Sequence, residues 1–326
     1  MSENAPTLSD VAAHAGVSLA TASRALNGSA RKVNPELQER VLASARHLGY
    51  SANVQAQAVA RGTSNLVALV VGDIADPYFA SISSGVVRVA DERGLVVTIT
   101  ATGPYAGPDS TAREEAALDA LRGQRPRAVV LAGSRVAGAE TRVGDPGRVA
   151  VIGSGAPGLR TVDVDNRGGA AALATSLRGL GYADVAILAG PGELITVRDR
   201  VEGFRSVLPA ASVVHTTFTR EGGHRAMTEL LASGARPECV FAVSDVMAIG
   251  AMAALRAAGI TPGADIGVAG FDDIPLVADV TPALTSVSLP LADLGARALE
   301  LALADAPLPA APVPAEVRLR ASTPRR

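Results

Sequence analysis

Four hydrogen-bonding side chains stand close together near the start of the chain, namely Thr21, Ser23, Arg24 and Asn27. Hydroxyl, guanidinium and amide groups are those that bind the phosphate oxygens and base edges of DNA. They can act on one partner only if a single short helix presents them. The chemistry that they indicate is hydrogen bonding to nucleic acid, provided that the flanking residues build such a helix.

The flanking residues predict two short helices joined by a tight turn. Thr7 can cap the first helix, and Asp10 is placed to complete a capping box. Gly16 ends that helix, Val17 puts an apolar side chain at the turn, and Ser18 can cap the second helix. A helix-turn-helix motif of this kind places its second helix in the DNA major groove. An ordinary pair of packed helices fits the same pattern, so the pattern alone leaves both interpretations open.

The order of residues in this segment resembles that of one protein family. The stretch from Asp10 to Ser18, DVAAHAGVS, and the stretch from Thr21 to Asn27, TASRALN, closely resemble the start of the LacI/GalR family of bacterial transcriptional regulators. The resemblance continues through most of the chain. It implies a homodimeric, ligand-responsive transcriptional regulator, expected to be a repressor, that binds pseudo-palindromic double-stranded operator DNA.

The resemblance also implies which residues contact the DNA. Side chains that match family residues at the DNA backbone would orient the head without reading the base sequence. Apolar side chains beside them could contact a thymine methyl group, and an arginine could bind guanine with two hydrogen bonds. The residues expected at the phosphates are Ser18, Thr21, Ser23 and Asn27, and those expected at the bases are Leu19, Ala20 and Arg24.

A third helix is expected to complete the head. Asn34 can cap this helix, and Pro35 suits its first position. Residues 1–50 are therefore predicted to form the head, and residues 51–63 a hinge helix or a plain linker. The resemblance implies a hinge that orders on DNA and wedges a side chain into the minor groove. Val59 takes the position of the family's leucine, which makes this wedge shorter and stiffer.

The composition is that of a soluble globular protein with an uneven distribution of charge. The chain has 326 residues, of which 48% are hydrophobic and 3% aromatic, and a formal net charge of -2. Residues 1–62 carry six basic and four acidic side chains, so a small positive excess lies at the end that would meet nucleic acid. The sequence has no signal segment and no apolar run long enough to span a bilayer. We therefore expect a cytoplasmic protein without a membrane partner.

The residues that could bind metal ions do not form a recognisable pattern. Cys239 is the single cysteine and is expected in a buried strand, so one chain cannot form a disulfide. The four histidines lack metal-ligand spacing with it. We expect neither a metal nor a cofactor.

From Leu66 onward, apolar runs alternate with amphipathic stretches. Alternating strands and helices predict parallel sheets covered by helices on both faces. Roughly 260 residues exceed one ordinary doubly wound sheet, so residues 64–326 should form two lobes. The expected fold is a small all-α helix-turn-helix head plus an α/β body of two doubly wound parallel sheets, which the resemblance implies to be type I periplasmic-binding-protein-like. The first lobe is expected at about 64–162 plus 289–316, and the second at about 163–288 plus 317–326.

One glycine-rich stretch could suggest nucleotide chemistry. The run from Gly153 to Gly158, GSGAPG, fits the G-x-G-x-x-G fingerprint and follows a predicted strand. That fingerprint needs a helix that opens at the glycines. Pro157 and the strand-like residues from Leu159 onward argue against such a helix. We interpret the stretch as a loop between strands.

Four further segments resemble the family's effector pocket, which lies between the lobes at the carboxyl ends of the strands. The resemblance implies a small polar effector, expected to be a sugar or a sugar derivative. The residues that it assigns to effector binding are Tyr78, Phe79, Thr196, Arg200, Phe218, Ser244 and Asp272.

Simpler structural roles remain open for several of these residues. Phe218 could be a core strand residue, Arg200 could form a surface salt bridge, and Asp272 could cap a helix. Ser244 departs from the asparagine more usual in the family, which would enlarge the pocket or admit a water. The pair Asp165-Asn166 also fits the family but is expected to be a helix cap.

Two other classes of protein are weaker interpretations. A solute-binding protein for uptake shares the two-lobed body, but the head and the missing export signal argue against it. A cytosolic enzyme would need a catalytic constellation. The sequence has no P-loop and no nucleophile elbow with a matching triad, so we predict no catalytic residues.

Overall fold

The computed structural model divides the chain into two units, Met1–Ser64 and Asn65–Arg326, which we call the head and the body. The predicted hinge and Val59 lie outside the described residues. No helix in the part that the structure describes is long and apolar enough to cross a bilayer. The described residues are 6–27, 33–50, 64–103, 108–133, 148–153, 160–305 and 312–326.

The described part of the head contains three helices: α1 (Leu8–Ala15), α2 (Leu19–Asn27) and α3 (Pro35–His47). Their packed faces consist of small side chains, because the helices are short and approach one another closely. Val11, Ala22 and Val41, one from each helix, are fully buried. The helix-turn-helix prediction is therefore confirmed in its elements and in its core.

Local signals in the sequence set the helix ends of the head. Thr7 Oγ1 accepts a hydrogen bond from Asp10 N at 3.3 Å, and Asp10 Oδ2 accepts one from Thr7 N at 2.8 Å, so the predicted capping box forms. Helix α1 ends at Gly16, whose φ of 62° is a conformation that glycine adopts without steric cost. Ser18 Oγ accepts from Thr21 N at 3.2 Å and caps α2.

The first sheet of the body contains five parallel strands in the order β2-β1-β3-β4-β5. Most residues of its central strands are buried, which explains why these segments are continuous apolar runs instead of alternating ones. Strand β2 lies at one edge of this sheet, and Val96, Ile99 and Ala101 are exposed on it. The elements are β1 (Leu66–Val71), α4 (Pro77–Glu92), β2 (Val96–Ala101), α5 (Pro108–Gln124), β3 (Ala128–Ala132), β4 (Val149–Ile152) and β5 (Arg160–Val162).

The second sheet contains four parallel strands in the order β7-β6-β8-β9. Cys239 is buried in β8, as predicted. The elements are α6 (Asn166–Gly179), β6 (Val185–Ala189), α7 (Ile195–Arg205), β7 (Ser212–His215), α8 (Arg220–Ala232), β8 (Cys239–Ala242), α9 (Asp245–Ala257), β9 (Gly267–Ala269) and a 3-10 turn (Pro275–Ala278).

The closing segments connect the two sheets. Strand β10 (Ser286–Ser288) pairs antiparallel with β11 (Glu316–Arg318), a pairing that the sequence did not predict. Helix α10 (Leu291–Leu303) lies between them in sequence and packs on α4 of the first sheet. The chain therefore returns to the first lobe after completing the second sheet, and the predicted architecture of two parallel sheets is confirmed.

The residue pattern predicts a helix from Arg198 to Leu208 and a strand from Val213 to Phe218, and the observed boundaries of both elements differ from this prediction. Helix α7 begins at Ile195 instead of Arg198, because Leu194 at the N-cap makes no side-chain hydrogen bond and the sequence gives no start signal there. Strand β7 ends at His215, so the prediction that it reaches Phe218 was wrong. This aromatic ring lies in the loop that follows the strand.

Glycines allow helices in the described part of the body to touch backbone to backbone. A Cβ atom placed on Gly85 of α4 would lie 1.7 Å from the carbonyl oxygen of Ala292 in α10. A Cβ atom on Gly223 of α8 would lie 2.1 Å from the carbonyl oxygen of Met247 in α9. Any larger residue at either glycine would force the helices apart.

Candidate functional site

Helix α2 presents the residues predicted to contact DNA. Its Ala22 and Ala25 are buried against the head core, which turns the opposite face outward. Leu19 is 51% exposed at the start of this face, and Ala20 beside it is also exposed. The structure therefore brings a polar and partly apolar helix face to the surface of the head.

The hydroxyls at the start of α2 are arranged in advance of any contact with DNA. The Ser18 and Thr21 hydroxyl oxygens lie 2.9 Å apart and share a hydrogen bond. Arg24 donates from Nε to the carbonyl oxygen of Ala20 at 3.0 Å, which leaves its two terminal amino groups for a partner. Asn27 ends the helix, and its side chain lies outside the described residues. Contact of these side chains with DNA stays a prediction.

A cavity of about 610 Å³ lies in the body at the carboxyl ends of both sheets. Cavities of about 300 to 1,000 Å³ hold small-molecule ligands in proteins. The two sheets supply opposite walls, because the loops after parallel strands meet at the same edge of each sheet. All of the residues that the sequence assigned to an effector line this cavity: Tyr78, Phe79, Thr196, Arg200, Phe218, Ser244 and Asp272.

Arg200 is the centre of a hydrogen-bonded network in the second-lobe wall. It is 2% exposed, and its Nη2 donates to Asp272 Oδ1 at 2.7 Å. Its Nε donates to Asn166 Oδ1 at 2.8 Å, and its Nη1 donates to the carbonyl oxygen of Val243 at 2.6 Å. The Phe271 ring lies 3.8 Å from the guanidinium carbon and covers its face. Arg200 is thus a buried residue that protein acceptors already hold, and the alternative of a surface salt bridge was wrong.

Asp272 combines backbone strain with an altered acidity. Its φ is 108°, a conformation that costs on the order of 1–3 kcal/mol for a residue with a side chain. Burial raises the pKa of Asp272 to about 6, although the charge of Arg200 opposes the increase. Its backbone N–H donates to the carbonyl oxygen of Val287 at 2.8 Å, which fixes the strained turn against β10. The carboxylate therefore faces the cavity from a rigid position.

Asp245 stands behind this wall and holds the turn that carries Asp272. Its Oδ2 accepts from Ile274 N at 2.8 Å, and its Oδ1 accepts from Ser286 Oγ at 2.6 Å. Burial raises the pKa of Asp245 well above its usual range, and the negative charge of Asp272 raises it further. No local sequence pattern indicates this role, because the partners of Asp245 are 29 and 41 positions away along the chain.

Ser244 contributes a hydroxyl whose hydrogen bonding is incomplete. The residue is 3% exposed, and its Oγ has no hydrogen-bond partner among the described residues. Although Ser244 occupies the N-cap of α9, its side chain makes no capping hydrogen bond. An unsatisfied buried hydroxyl costs about 1–3 kcal/mol, so a ligand or water in the cavity would stabilise it.

The first-lobe wall is formed by aromatic rings and glycines. The Tyr78 and Phe79 rings meet edge to face with centroids 5.1 Å apart. Cβ atoms placed on Gly72 and Gly133 would lie 3.1 Å and 3.3 Å from the Phe79 ring. The Phe79 ring therefore occupies the space that side chains at positions 72 and 133 would need. Burial raises the pKa of Tyr78, so its phenol stays protonated and can donate a hydrogen bond.

Sequence reasoning missed several polar residues of the site, three of which hold or charge its walls. The interpretation of Asp165-Asn166 as a cap holds for Asp165, which accepts from Gly168 N at 2.8 Å, but was wrong for Asn166. Asn166 is buried in the cavity wall, where it holds Arg200. Asp73 and Asp76 also line the cavity, and their position just after β1 could have indicated this.

Metal and nucleotide chemistry find no support in the described part of the chain. Within the described ranges, no group of three or more His, Cys, Asp or Glu side chains could hold a metal ion. Gly153 lines the cavity, and residues 154–159 of the glycine-rich stretch lie outside the described residues. The next described element is β5, a strand parallel to β4, and not the helix that a dinucleotide fingerprint needs.

The head and the body together define a class of protein. A helix-turn-helix head and a body with a cavity at the ends of two parallel sheets are the parts of a ligand-responsive DNA-binding regulator. The family model "Bacterial regulatory proteins, lacI family" matches residues 7–53, and the model "Periplasmic binding protein-like domain" matches residues 174–325. The chain belongs to the LacI family of bacterial regulatory proteins, and it is a transcriptional regulator.

Relatives match the chain over nearly its whole length. The HTH-type transcriptional regulator GalS of Salmonella typhimurium is 34% identical over 91% of this chain and 89% of its own length. CelR of Thermobifida fusca is 33% identical over 89% of this chain and 88% of its own. The transcriptional repressor CytR of Escherichia coli is 32% identical over 92% of this chain and 90% of its own.

Two solved structures are also similar. A Lac repressor dimer bound to operator and the anti-inducer ONPF has a TM-score of 0.82 and 24% identity, covering 98% of this chain and 100% of that chain. This likeness establishes the fold. A CelR–cellobiose complex has a TM-score of 0.66 and 29% identity, covering 97% of this chain and 99% of that chain.

Proposed function

We propose that this regulator is a homodimeric repressor whose binding to a pseudo-palindromic double-stranded operator changes when a sugar-like effector occupies the body cavity. The observation that carries the proposal is the joining, in one chain, of an exposed recognition helix and a cavity lined by aromatic, apolar and hydrogen-bonding side chains. Repression agrees with the name of the relative CytR. The relatives are named as transcriptional regulators, so we assign no catalytic step. A protein with this target works in the cytoplasm, where bacterial DNA lies.

Each DNA-facing residue has a role that follows from its chemistry and position. The exposed side chains of Leu19 and Ala20 can pack on base edges, and the free amino groups of Arg24 can bind guanine. Val59, outside the described residues, is proposed as a short minor-groove wedge. The residues proposed at the phosphates are Ser18, Thr21, Ser23 and Asn27.

A sugar-like effector suits the chemistry of the cavity. Its walls offer hydroxyl, carboxylate and guanidinium groups together with aromatic rings, and sugars present both hydroxyls and apolar faces. The CelR–cellobiose structure supports a saccharide for a similar body. Tyr78, Phe79 and Phe218 would pack on the ligand, while Thr196, Ser244 and the Arg200–Asp272 pair would bind its hydroxyls.

Pairing of two chains is supported by an exposed apolar surface on the first lobe. Val96 and Ile99 of the edge strand β2 are 54% and 40% exposed, and Val87 of α4 is 38% exposed. Apolar side chains on an unpaired sheet edge favour association with another chain. A second copy of this chain would cover them symmetrically and would bring two heads to two half-sites.

Selection of bound sequences from random DNA, followed by footprinting, tests the proposal. We expect two half-sites related by a two-fold axis, and a single asymmetric site would contradict the dimer. Arg24→Ala should cost about 1–3 kcal/mol and relax one base position in each half-site. Thr21→Ala should weaken binding to selected and unrelated DNA alike, because phosphate contacts read no sequence. Loss of one base preference alone in Thr21→Ala would contradict its assignment to phosphate.

A further inference from the structure

Six charged side chains line the cavity, and only some of them neutralise one another. Arg200 pairs with Asp272 at 2.7 Å, and Arg220 pairs with Glu221 at 3.2 Å. The other two charged residues of the lining are Asp73 and Asp76. Neither of them forms an ion pair with any residue that the structure describes. The described lining therefore carries two carboxylates in excess.

The hydrogen bonds of these two carboxylates come from neutral backbone groups. Asp73 Oδ1 accepts from Ala75 N at 2.9 Å, and Asp76 Oδ1 accepts from Tyr78 N at 2.9 Å at the start of α4. Such bonds stabilise a carboxylate without cancelling its charge. Burial raises the pKa of Asp76, and the negative charge of Asp73 raises it further, so the two residues already disfavour additional negative charge.

Each of the two cationic groups of the described lining is already paired with a carboxylate. Three hydrogen bonds to protein acceptors hold the Arg200 guanidinium beside a carboxylate. Arg220 is more than half exposed beside Glu221. Arg113, near Gly103, donates to the carbonyl oxygen of Thr102 at 2.8 Å and is not part of the lining. An anion in the cavity would lose its hydration and meet an excess of negative charge.

Two further polar groups of the cavity suit an uncharged polar group on the ligand. Ser244 Oγ is buried without a partner among the described residues, and it can donate to or accept from a ligand hydroxyl. The Tyr78 phenol lines the same cavity and stays protonated. Both groups match hydroxyls or amines, and neither brings the positive charge that a phosphate needs for tight binding.

We propose that the cavity selects uncharged or amine-bearing hydroxylated molecules and rejects phosphorylated ones, because Asp73 and Asp76 give its described lining an excess negative charge. This inference rests on the proposed effector function of the cavity. It narrows the effector from sugars in general to the free sugar or nucleoside, or an amino derivative. A phosphate ester of the same molecule is excluded by charge and not by size.

Binding measurements with matched ligands on the purified full chain test the proposal. The probes are glucose, its phosphate ester and glucosamine; ribose and its phosphate ester; adenosine and adenosine monophosphate; and cellobiose. Calorimetry should show that whichever parent compound binds, its phosphate ester binds at least about tenfold more weakly. An amine analogue should bind at least as tightly as its parent. A phosphate ester that binds as tightly as its parent would overturn the charge argument while leaving a sugar effector intact.

Two variants separate charge from other causes. The double substitution Asp73→Asn with Asp76→Asn keeps the capping oxygens and removes both charges, so it should reduce the discrimination against phosphate esters several-fold. Asp91→Asn, an exposed site at the far end of α4, is the matched control and should leave the discrimination unchanged. Operator binding by each variant reports that it is folded. Equal discrimination in the double variant and the wild type would overturn the proposal, and binding of no probe at all would remove the sugar effector and this inference together.

Discussion

The polar groups in the two walls of the cavity are stabilised by different kinds of partner. In the second-lobe wall, Arg200 donates hydrogen bonds to Asp272 at 2.7 Å and to Asn166 at 2.8 Å, so most of its charge and hydrogen bonding is satisfied inside the protein. In the first-lobe wall, the partners of Asp73 and Asp76 among the described residues are backbone donors. The network of the second-lobe wall fixes the positions of its side chains before a ligand binds. The first-lobe wall instead carries uncompensated negative charge, which favours a neutral or positively charged ligand.

The two walls also differ in how many side chains their backbone carries at the cavity. Glycines follow each of the first four strands of the first sheet and line the cavity, so no side chain projects from that wall at these four positions. The second wall is crowded with polar side chains around the strained Asp272. The stability of the second-lobe wall should therefore fall most when one partner of its polar network is removed. The glycine-lined first-lobe wall should be disturbed most when a side chain is added.

The largest effect is expected when the network loses its cation. Arg200→Met should lower the free energy of unfolding of the body by about 3–5 kcal/mol, because Asp272 would remain buried without its partner. Arg88→Met removes an exposed ion pair, with side chains 57% and 61% exposed, and should cost about 0–1 kcal/mol. Urea denaturation of both variants measures the difference. If the two substitutions lowered the free energy of unfolding by similar amounts, the buried network would contribute no more stability than an exposed ion pair, and the contrast between the two walls would fail.

A pH series sharpens the comparison through Asp272. Because its pKa is raised to about 6 from the usual 3.8, the folded protein holds a proton that the unfolded chain releases earlier. The associated stability is present below a pH of about 4 and is lost as the pH rises through about 6, by up to about 3 kcal/mol. Asp272→Asn should remove this part of the decrease, leaving the part that belongs to Asp245. An identical pH slope in both proteins would refute the assignment.

The smallest effect is expected in the glycine-lined wall, where two substitutions form a matched pair. Gly133 and Gly153 have similar φ values of 126° and 128°, so alanine should cost about 1–3 kcal/mol at each through backbone strain. A Cβ atom on Gly133 would lie 3.3 Å from the Phe79 ring, but one on Gly153 would lie 4.0 Å from its nearest contact among the described residues beyond its chain neighbours. Gly133→Ala should therefore cost more and also weaken ligand binding. Ligand affinities and thermal unfolding compare the pair, and equal losses would argue against a role for the Phe79 contact.

The head could be predicted in detail because its signals are local. The capping box of Thr7 and Asp10, the break at Gly16 and the Ser18 cap all act within a few residues, and the structure confirms each of them. The alternation of apolar runs also predicted both parallel sheets. The start of α7 was missed because Leu194 offers no capping side chain, and the antiparallel β10–β11 pair joins segments that give no local signal.

The site could be predicted as a set of residues but not as a network. The family resemblance named seven residues, and all of them line one cavity. It could not reveal that Arg200 and Asp272, which are 72 positions apart, would bind each other. Nor could it give the φ of Asp272 or the role of Asn166, since both depend on the loop and helix that tertiary packing brings together.

The glycine contacts between helices have a mechanical consequence for the body. Where α4 meets α10 and α8 meets α9, backbone lies against backbone, so no layer of side chains is available to yield. Each lobe should then move as a rigid body, and conformational change should be concentrated in the segments that connect the lobes. Asp272 is bonded directly to one of these, through its N–H to Val287 in β10. A displacement of Asp272 would thus pass along β10 into α10 as movement of a whole helix, with little lost to side-chain rearrangement on the way.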